Sequence, residues 1–179
     1  MFVHSTGSSL GRFVADAHGG LDWLLSADMG PDGPGGFAAF DATIGALVMG
    51  CTTYDWVDAA LTRGGVSWPH HQPTWVMTHR APPAVVPDAP ITFTDAPVAE
   101  VAAAMRAAAG DRDCWIVGGG RVTTAFAEAG FLDEVIVAIA PVMLGAGTPV
   151  ISTRLDLDLV AAERNRDLAV LRYRVRTPG

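Results

Sequence analysis

Between Cys114 and Gly130 the chain reads CWIVGGGRVTTAFAEAG. Four apolar residues lead into Gly118, Gly119, Gly120 and Arg121, after which Ala125, Phe126 and Ala129 recur at helical spacing. Short aromatic and β-branched runs bounded by glycine read as buried strands. The stretch is therefore strand, glycine turn, helix, with Gly130 at the C′ position. Such a turn can bind an anion: glycine tolerates positive φ and close approach to the main chain, while a helix start presents free N–H donors and the positive end of its dipole. A purely structural turn uses the same residues. The dinucleotide fingerprint is also incomplete, because Thr123 stands where the third glycine of GxGxxG belongs, and the next strand ends without an acidic residue for a ribose.

A second turn of this kind lies in LVMGCTTYDW. A strand ends at Met49, Gly50 opens the turn, and Thr52 or Thr53 can cap a helix carrying Tyr54 and Val57. A third strand ends in TWVMTHR, which puts Thr78, His79 and Arg80 just past its carboxyl end. Ligands of open α/β sheets bind at those ends.

The elements that must position these groups alternate along the chain. Strands are expected over 2–6, 46–49, 74–78, 91–93, 114–117 and 135–140, with helices over 36–45, 53–60, 97–109 and 122–129. Alternation of this kind builds a mostly parallel sheet covered on both faces. The tail, LDLDLVAAERNRDLAVLRYRVR, alternates on both sides of Asn165-Arg166-Asp167 and reads as an antiparallel hairpin closing one edge. Glycine- and proline-rich pieces over 29–36, 63–73 and 80–90 read as loops inside a single domain spanning 1–179.

Composition narrows the function. With 179 residues, half of them hydrophobic, the chain can bury a full core. Its net charge of -7 argues against nonspecific nucleic-acid binding, and its 12 basic residues are all arginine. Any phosphorylated ligand must be met by local arginines. Cys51 and Cys114 are isolated and read as two buried thiols rather than a zinc site or a disulfide framework. His4, His18 and the His70-His71 pair lack a third ligand at metal spacing, and Asp156 and Asp158 read as solvent-facing strand residues. The longest apolar stretch, 135–144, is too short to span a bilayer, and no signal peptide is evident. A cytoplasmic protein with no membrane partner is expected.

Taken together, these segments resemble the dihydrofolate-reductase-like superfamily, most of all its branch similar to the reductase domain of RibD, the riboflavin-biosynthesis deaminase-reductase. SSLGRFVADAHGGLDWL is similar to the family's SLDGxIA…G…DWL, VMGCTTYDW to MGRxTYE, and WVMTHR to VVLTR. WIVGGGRVTTAFAEAGFLDEVIV is similar to GGGxLxxxFLxxGLVDEL, and APVMLGAGTPVI to PVLLGxGxPLF. The five segments follow in family order over almost the whole chain. The resemblance implies a three-layer α/β/α fold, with a mostly parallel central sheet ending in the hairpin.

It also implies NADPH bound across the strand ends, its nicotinamide beside the first strand. Gly50, Thr52 and Thr53 would face the diphosphate and ribose, while Thr78, His79 and Arg80 would hold the adenosine 2′-phosphate. Gly118, Gly119, Gly120, Arg121 and Val122 would cradle the diphosphate. The implied activity is reduction of a small polar heterocycle, such as a 5-amino-6-(5-phosphoribosylamino)uracil-type compound, by a homodimer to which the segment around Pro141 could contribute. The alternative is cofactor binding without turnover.

Three departures bear on this. The arginine of MGRxTYE is Cys51, and the aspartate and glycine of SLDG are Gly11 and Arg12. The carboxylate that folate reductases carry on the helix before the second strand has three candidates, Asp28, Asp32 and Asp41. Of these Asp41 alone falls in the expected helix, as catalytic acid or as a solvated face residue.

Overall fold

The computed structural model describes residues 1–65, 68–81, 86 and 89–176, so much of the loop expected over 80–90 lies outside the described residues. Its elements run β1 (Phe2–Ser9), β2 (Phe13–Ala15), α1 (Asp22–Leu25), α2 (Phe37–Asp41), β3 (Ile44–Gly50), α3 (Cys51–Gly64), β4 (Thr74–Met77) and β5 (Ile91–Thr94). They continue with α4 (Val98–Ala109), β6 (Asp113–Ile116), α5 (Arg121–Glu128), β7 (Glu134–Ala140), β8 (Thr148–Pro149), β9 (Leu157–Asn165) and β10 (Leu168–Val175). The main sheet has the order β5-β4-β3-β6-β1-β7-β10-β9, and β2 pairs with β8 in a separate short ribbon. Strands β5 through β7 in that order are parallel, and β10 and β9 add the antiparallel hairpin.

Burial on both faces explains the apolar runs. In β3, IGALVMG is buried at every residue but the last. On one face Val101, Ala102, Met105 and Ala109 of α4 pack with Phe126 of α5 against Phe2, Val48, Cys114 and Ile116. On the other, Tyr54 of α3 packs on Met49 and Val76, and Phe40 of α2 packs with Ile44, Leu47 and Trp115. The three layers expected from the sequence are present.

Several boundaries differ from expectation for physical reasons. β1 continues to Ser9 because β7 pairs with it from Val3↔Glu134 to Ser9↔Ala140, so main-chain bonding carries the weakly β-forming Gly7-Ser8-Ser9. The helix expected over 36–45 is only Phe37–Asp41, since Ile44 and Gly45 join the sheet. α3 begins at Cys51, and neither Thr52 nor Thr53 caps it; its N-cap is Gly50, without a side-chain bond. The ribbon strands β2 and β8 and the one-turn α1 are too short to leave a periodic signal.

Candidate active site

β6 stops opposite His4, whereas β7 accompanies β1 to Ser9. The edge of β1 that faces β6 is therefore open from Ser5 onward. The Ser5 carbonyl points into this gap, since the Trp115 indole Nε1 donates to it at 3.0 Å. Main-chain groups alternate sides along a strand, so the Gly7 N–H and C=O face the same gap.

The glycine turn closes the gap at the carboxyl end of β6. Gly118 has φ +89° and Gly120 φ +66°, a region that side-chain-bearing residues rarely occupy. Gly119 is needed for a different reason: a Cβ there would lie 2.9 Å from Val14 and 3.4 Å from the Pro149 carbonyl. The β2–β8 ribbon thus leans on the turn, and the Gly120 N–H donates to Pro149 O at 3.1 Å. The chain's own ribbon thus occupies the space where a Gly119 side chain would stand.

Two helix starts meet here. α3 and α5 rise from the neighbouring strands β3 and β6, and neither start is capped by a side chain. A Cβ on Gly50 would lie 3.2 Å from Val122, and one on Gly118 only 2.5 Å from Thr53 Oγ1. Among the described residues, the main-chain N–H groups of Thr52, Thr53, Gly119, Arg121 and Val122 find no hydrogen-bond partner. Arg121, exposed, is the first residue of α5 and forms no ion pair among the described residues. A cation at the positive end of a helix is favoured only when an anion joins it. The donor set suits a diphosphate.

Arg12 supplies a further exposed cation with no ion pair among the described residues. Its φ is +67°, which explains why the similar family pattern carries glycine at this position.

The third strand end folds onto α3. Arg80 Nε and Nη2 donate to Cys51 Sγ at 3.0 and 2.7 Å, and Nη2 also bonds Asp55. The Asp55 carboxylate, then the Cys51 sulphur, hold the Arg80 pKa above its ordinary value. The Arg80 N–H donates to Thr78 Oγ1 at 3.2 Å, and His79 is exposed. All three sequence-identified segments are thus brought together. Two expectations change: Cys51 is half-exposed rather than buried, and Arg80 already has an acidic partner.

Beside the β1 edge, on the α1–α2 face, lies a cavity of about 340 Å³. Ser5 and Gly7 of β1 and Ile136 and Ala138 of β7, set opposite one another by the register, form its floor. Leu24 and Leu25, Met29, Phe37 and Phe40, and Trp115 supply its walls, and among the described residues none that lines it is titratable. The Phe40 ring meets Trp115 edge-on at 5.1 Å, and Phe37 lies 6.1 Å from it.

Asp41 does not line this cavity. Phe37 and Phe40 turn inward from α2, which leaves Asp41 at its end, beside the amino end of β3, where Gln72 Nε2 donates to its carboxylate at 3.3 Å. His70 Nδ1 stands 3.9 Å away, beyond hydrogen-bond reach, and burial holds the His70 pKa below its ordinary value. Asp28 instead pairs with Arg166 at 2.7 Å. Among the described residues of the lining, the acid expected from folate reductases has no counterpart.

Sequence reading missed Asn165. Read only as part of a hairpin turn, it is buried beneath the glycine-rich loop that precedes α2. Its Oδ1 accepts from the Gly30 N–H, and its Nδ2 donates to the Gly30 and Pro34 carbonyls, each at 2.9 Å. The loop so clamped carries Met29 and Gly35 of the cavity wall. The only sequence signal was a polar residue ending an otherwise alternating strand.

Comparison with known proteins places this geometry. The chain is similar to a protein from Shewanella sp. PV-4 provisionally assigned to riboflavin biosynthesis, with 25% identity, a TM-score of 0.80 and coverage of 98% of this chain and 99% of that one. It is also similar in fold to the diaminohydroxyphosphoribosylaminopyrimidine deaminase/5-amino-6-(5-phosphoribosylamino)uracil reductase of Thermotoga maritima, at 16% identity and a TM-score of 0.69, covering 98% of this chain and 56% of that longer one. Dihydrofolate reductase from Enterococcus faecalis, solved with NADP(H), matches with a TM-score of 0.57 at 14% identity over 99% of this chain and 97% of its own. The RibD C-terminal domain matches residues 8–169, and the chain belongs to that family.

Proposed function

We propose that the protein is an NADPH-dependent reductase of a small heterocyclic or conjugated carbonyl compound. The observation that carries this reading is the meeting of two uncapped helix starts at Gly50 and Gly120, with unpartnered N–H groups and the unpaired Arg121 around them. Thr52, Thr53, Gly119, Arg121 and Val122 would hold the diphosphate, and Thr78, His79 and Arg80 the 2′-phosphate. The open main-chain edge at Gly7 suits a ring that carries a carboxamide. NADPH, when bound, supplies the hydride, and the chain positions the acceptor and excludes water.

The adjoining cavity would hold the acceptor against β1. Ser5 and Thr6 both line the cavity; Thr6 Oγ1 donates to the Gly7 carbonyl at 3.2 Å, and Ser5 Oγ, which has no partner among the described residues, can orient a heteroatom and pass it a solvent proton. Dihydrofolate is a poor acceptor on this reading, since the described residues of the lining offer no carboxylate to assist protonation. Assembly as a homodimer belongs to the same proposal, with the exposed Met143 at the contact.

Cofactor binding without turnover is the second reading, favoured by the absence of a titratable group among the described residues of the cavity lining. Following nicotinamide absorbance while candidate acceptors are added to protein and NADPH decides between them. Oxidation that depends on an acceptor supports the reductase; tight NADPH binding with no oxidation across an acceptor panel supports the second reading.

A further inference from the structure

We infer that the cavity beside β1 takes an uncharged, flat heteroaromatic or conjugated carbonyl compound without a phosphate group. The inference rests on the reductase reading for its chemistry, but on the cavity alone for its selectivity.

Charge is the first argument. A phosphorylated ligand must exchange its hydration shell for cationic donors, and an unpaired charge in an apolar site is strongly disfavoured. No arginine or histidine lines this cavity. Arg172, which the register sets opposite Ile136 on the same sheet face, is held by Glu134 at 2.8 Å. Arg166, on the hairpin that borders the cavity through Leu168, is held by Asp28 at 2.7 Å. Both of these cations already have carboxylate partners.

Shape is the second. Phe37, Phe40 and Trp115 present rings at mutually tilted or edge-on angles, an arrangement that contacts a flat guest through faces and edges together. Phe37 is 47% exposed and Leu25 67%, so apolar surface stands open at the mouth rather than packed away. Apolar surface left open beside a cavity in this way suits the docking of something apolar. The volume, about 340 Å³, lies at the low end for small-molecule sites, which suits one or two fused rings better than a ring with an extended sugar phosphate. For polar recognition the guest has the Ser5 hydroxyl, enough to orient one heteroatom, while the Thr6 hydroxyl donates to the Gly7 carbonyl at 3.2 Å.

Calorimetric titration of the full chain with quinazolin-4-one, uncharged and flat, and with uridine 5′-monophosphate tests this. The wild type is expected to bind quinazolin-4-one at least about tenfold more tightly than the nucleotide, and the Phe37→Ala variant to lose roughly three- to tenfold of the quinazolin-4-one affinity. Phe37 is partly exposed, so this variant should fold; a wild-type circular-dichroism melt checks it. The Trp115 indole N–H resonance should shift with quinazolin-4-one. Equal or tighter binding of the nucleotide, no binding of quinazolin-4-one, or binding indifferent to Phe37→Ala overturns the inference. NADPH titrated separately into the same protein reports on the reductase reading: its failure there, with the two probes behaving as expected, removes the reaction and leaves the selectivity standing.

Discussion

The Arg80 guanidinium lies against the Cys51 sulphur, with Nη2 at 2.7 Å and Nε at 3.0 Å, while also bonding Asp55. Position 51 is where the similar family pattern carries arginine. A cation from the neighbouring strand end thus stands where the missing one would be, but in contact with a carboxylate that an incoming phosphate must displace.

This arrangement predicts opposite effects from two substitutions. Arg80→Ala should weaken NADPH binding by about three- to tenfold and leave NADH nearly unchanged, because only the former carries the extra phosphate. Asp55→Asn should strengthen NADPH binding by removing a competing anion. The wild-type preference should shrink as salt is raised. Titration of both cofactors into the three proteins checks this, and equal weakening of NADPH and NADH in Arg80→Ala would place Arg80 elsewhere in the site or in the scaffold.

Gly118→Ala should cost about 1–2 kcal/mol of stability, since φ +89° is strained for alanine and the new methyl would meet Thr53 Oγ1 at 2.5 Å. Cofactor affinity should fall with it. Gly119→Asp should also lower both quantities, because the side chain displaces Val14 while its charge repels phosphate. Chemical denaturation alongside calorimetry separates the two effects; a fully stable Gly119→Asp protein would show that the β2–β8 ribbon yields freely.

Asn165→Ala should destabilise by about 1–3 kcal/mol, leaving buried loop groups unsatisfied at Gly30 and Pro34. Amide exchange should rise in the loop before α2 while β3 and β6 remain protected. A uniform loss of protection would instead make Asn165 a general core residue.

Stability should also depend on pH below neutrality. Burial lowers the His4 pKa from 6.5 to about 4, while its Nδ1 contact with the Ile116 carbonyl, at 3.0 Å, opposes the shift. Between these two values the unfolded chain binds more protons at this site than the folded one, so stability present above 6.5 is lost as pH falls toward 4. The loss attributable to His4 is about 3 kcal/mol, and His70, also lowered by burial, acts in the same direction. His4→Gln keeps a donor for Ile116 and should flatten the profile of unfolding free energy over that range. An unchanged slope in the variant would remove His4 as its cause.

What the sequence disclosed follows from the kind of signal each element leaves. Apolar runs ending in glycine marked β3 and β6 and their turns within a residue or two, because burial on both faces demands such runs. The hairpin was legible from alternation around Asn165-Arg166-Asp167. The role of Asn165 was not, because its partners Gly30 and Pro34 are some 130 residues away along the chain and are main-chain atoms, which leave no pattern. The acidity of Asp41 drew attention to it, but only the placing of Phe37 and Phe40 in the lining, and of Asp41 against Gln72, separates it from the cavity. The Asp55 that meets Arg80 lies 25 residues earlier, on a helix whose register no strand motif reveals.

The central claim is that the paired helix starts hold the cofactor diphosphate, and amide chemical shifts read it most directly. In a titration of isotopically labelled protein with NADPH, the N–H resonances of Thr52, Thr53, Gly119, Arg121 and Val122 should shift together along one saturating curve. Resonances around Asp41 and Gln72, at the opposite end of the strands, should stay in place. Saturable binding that leaves those five amides unmoved, or no binding of NADPH at all, would contradict the account.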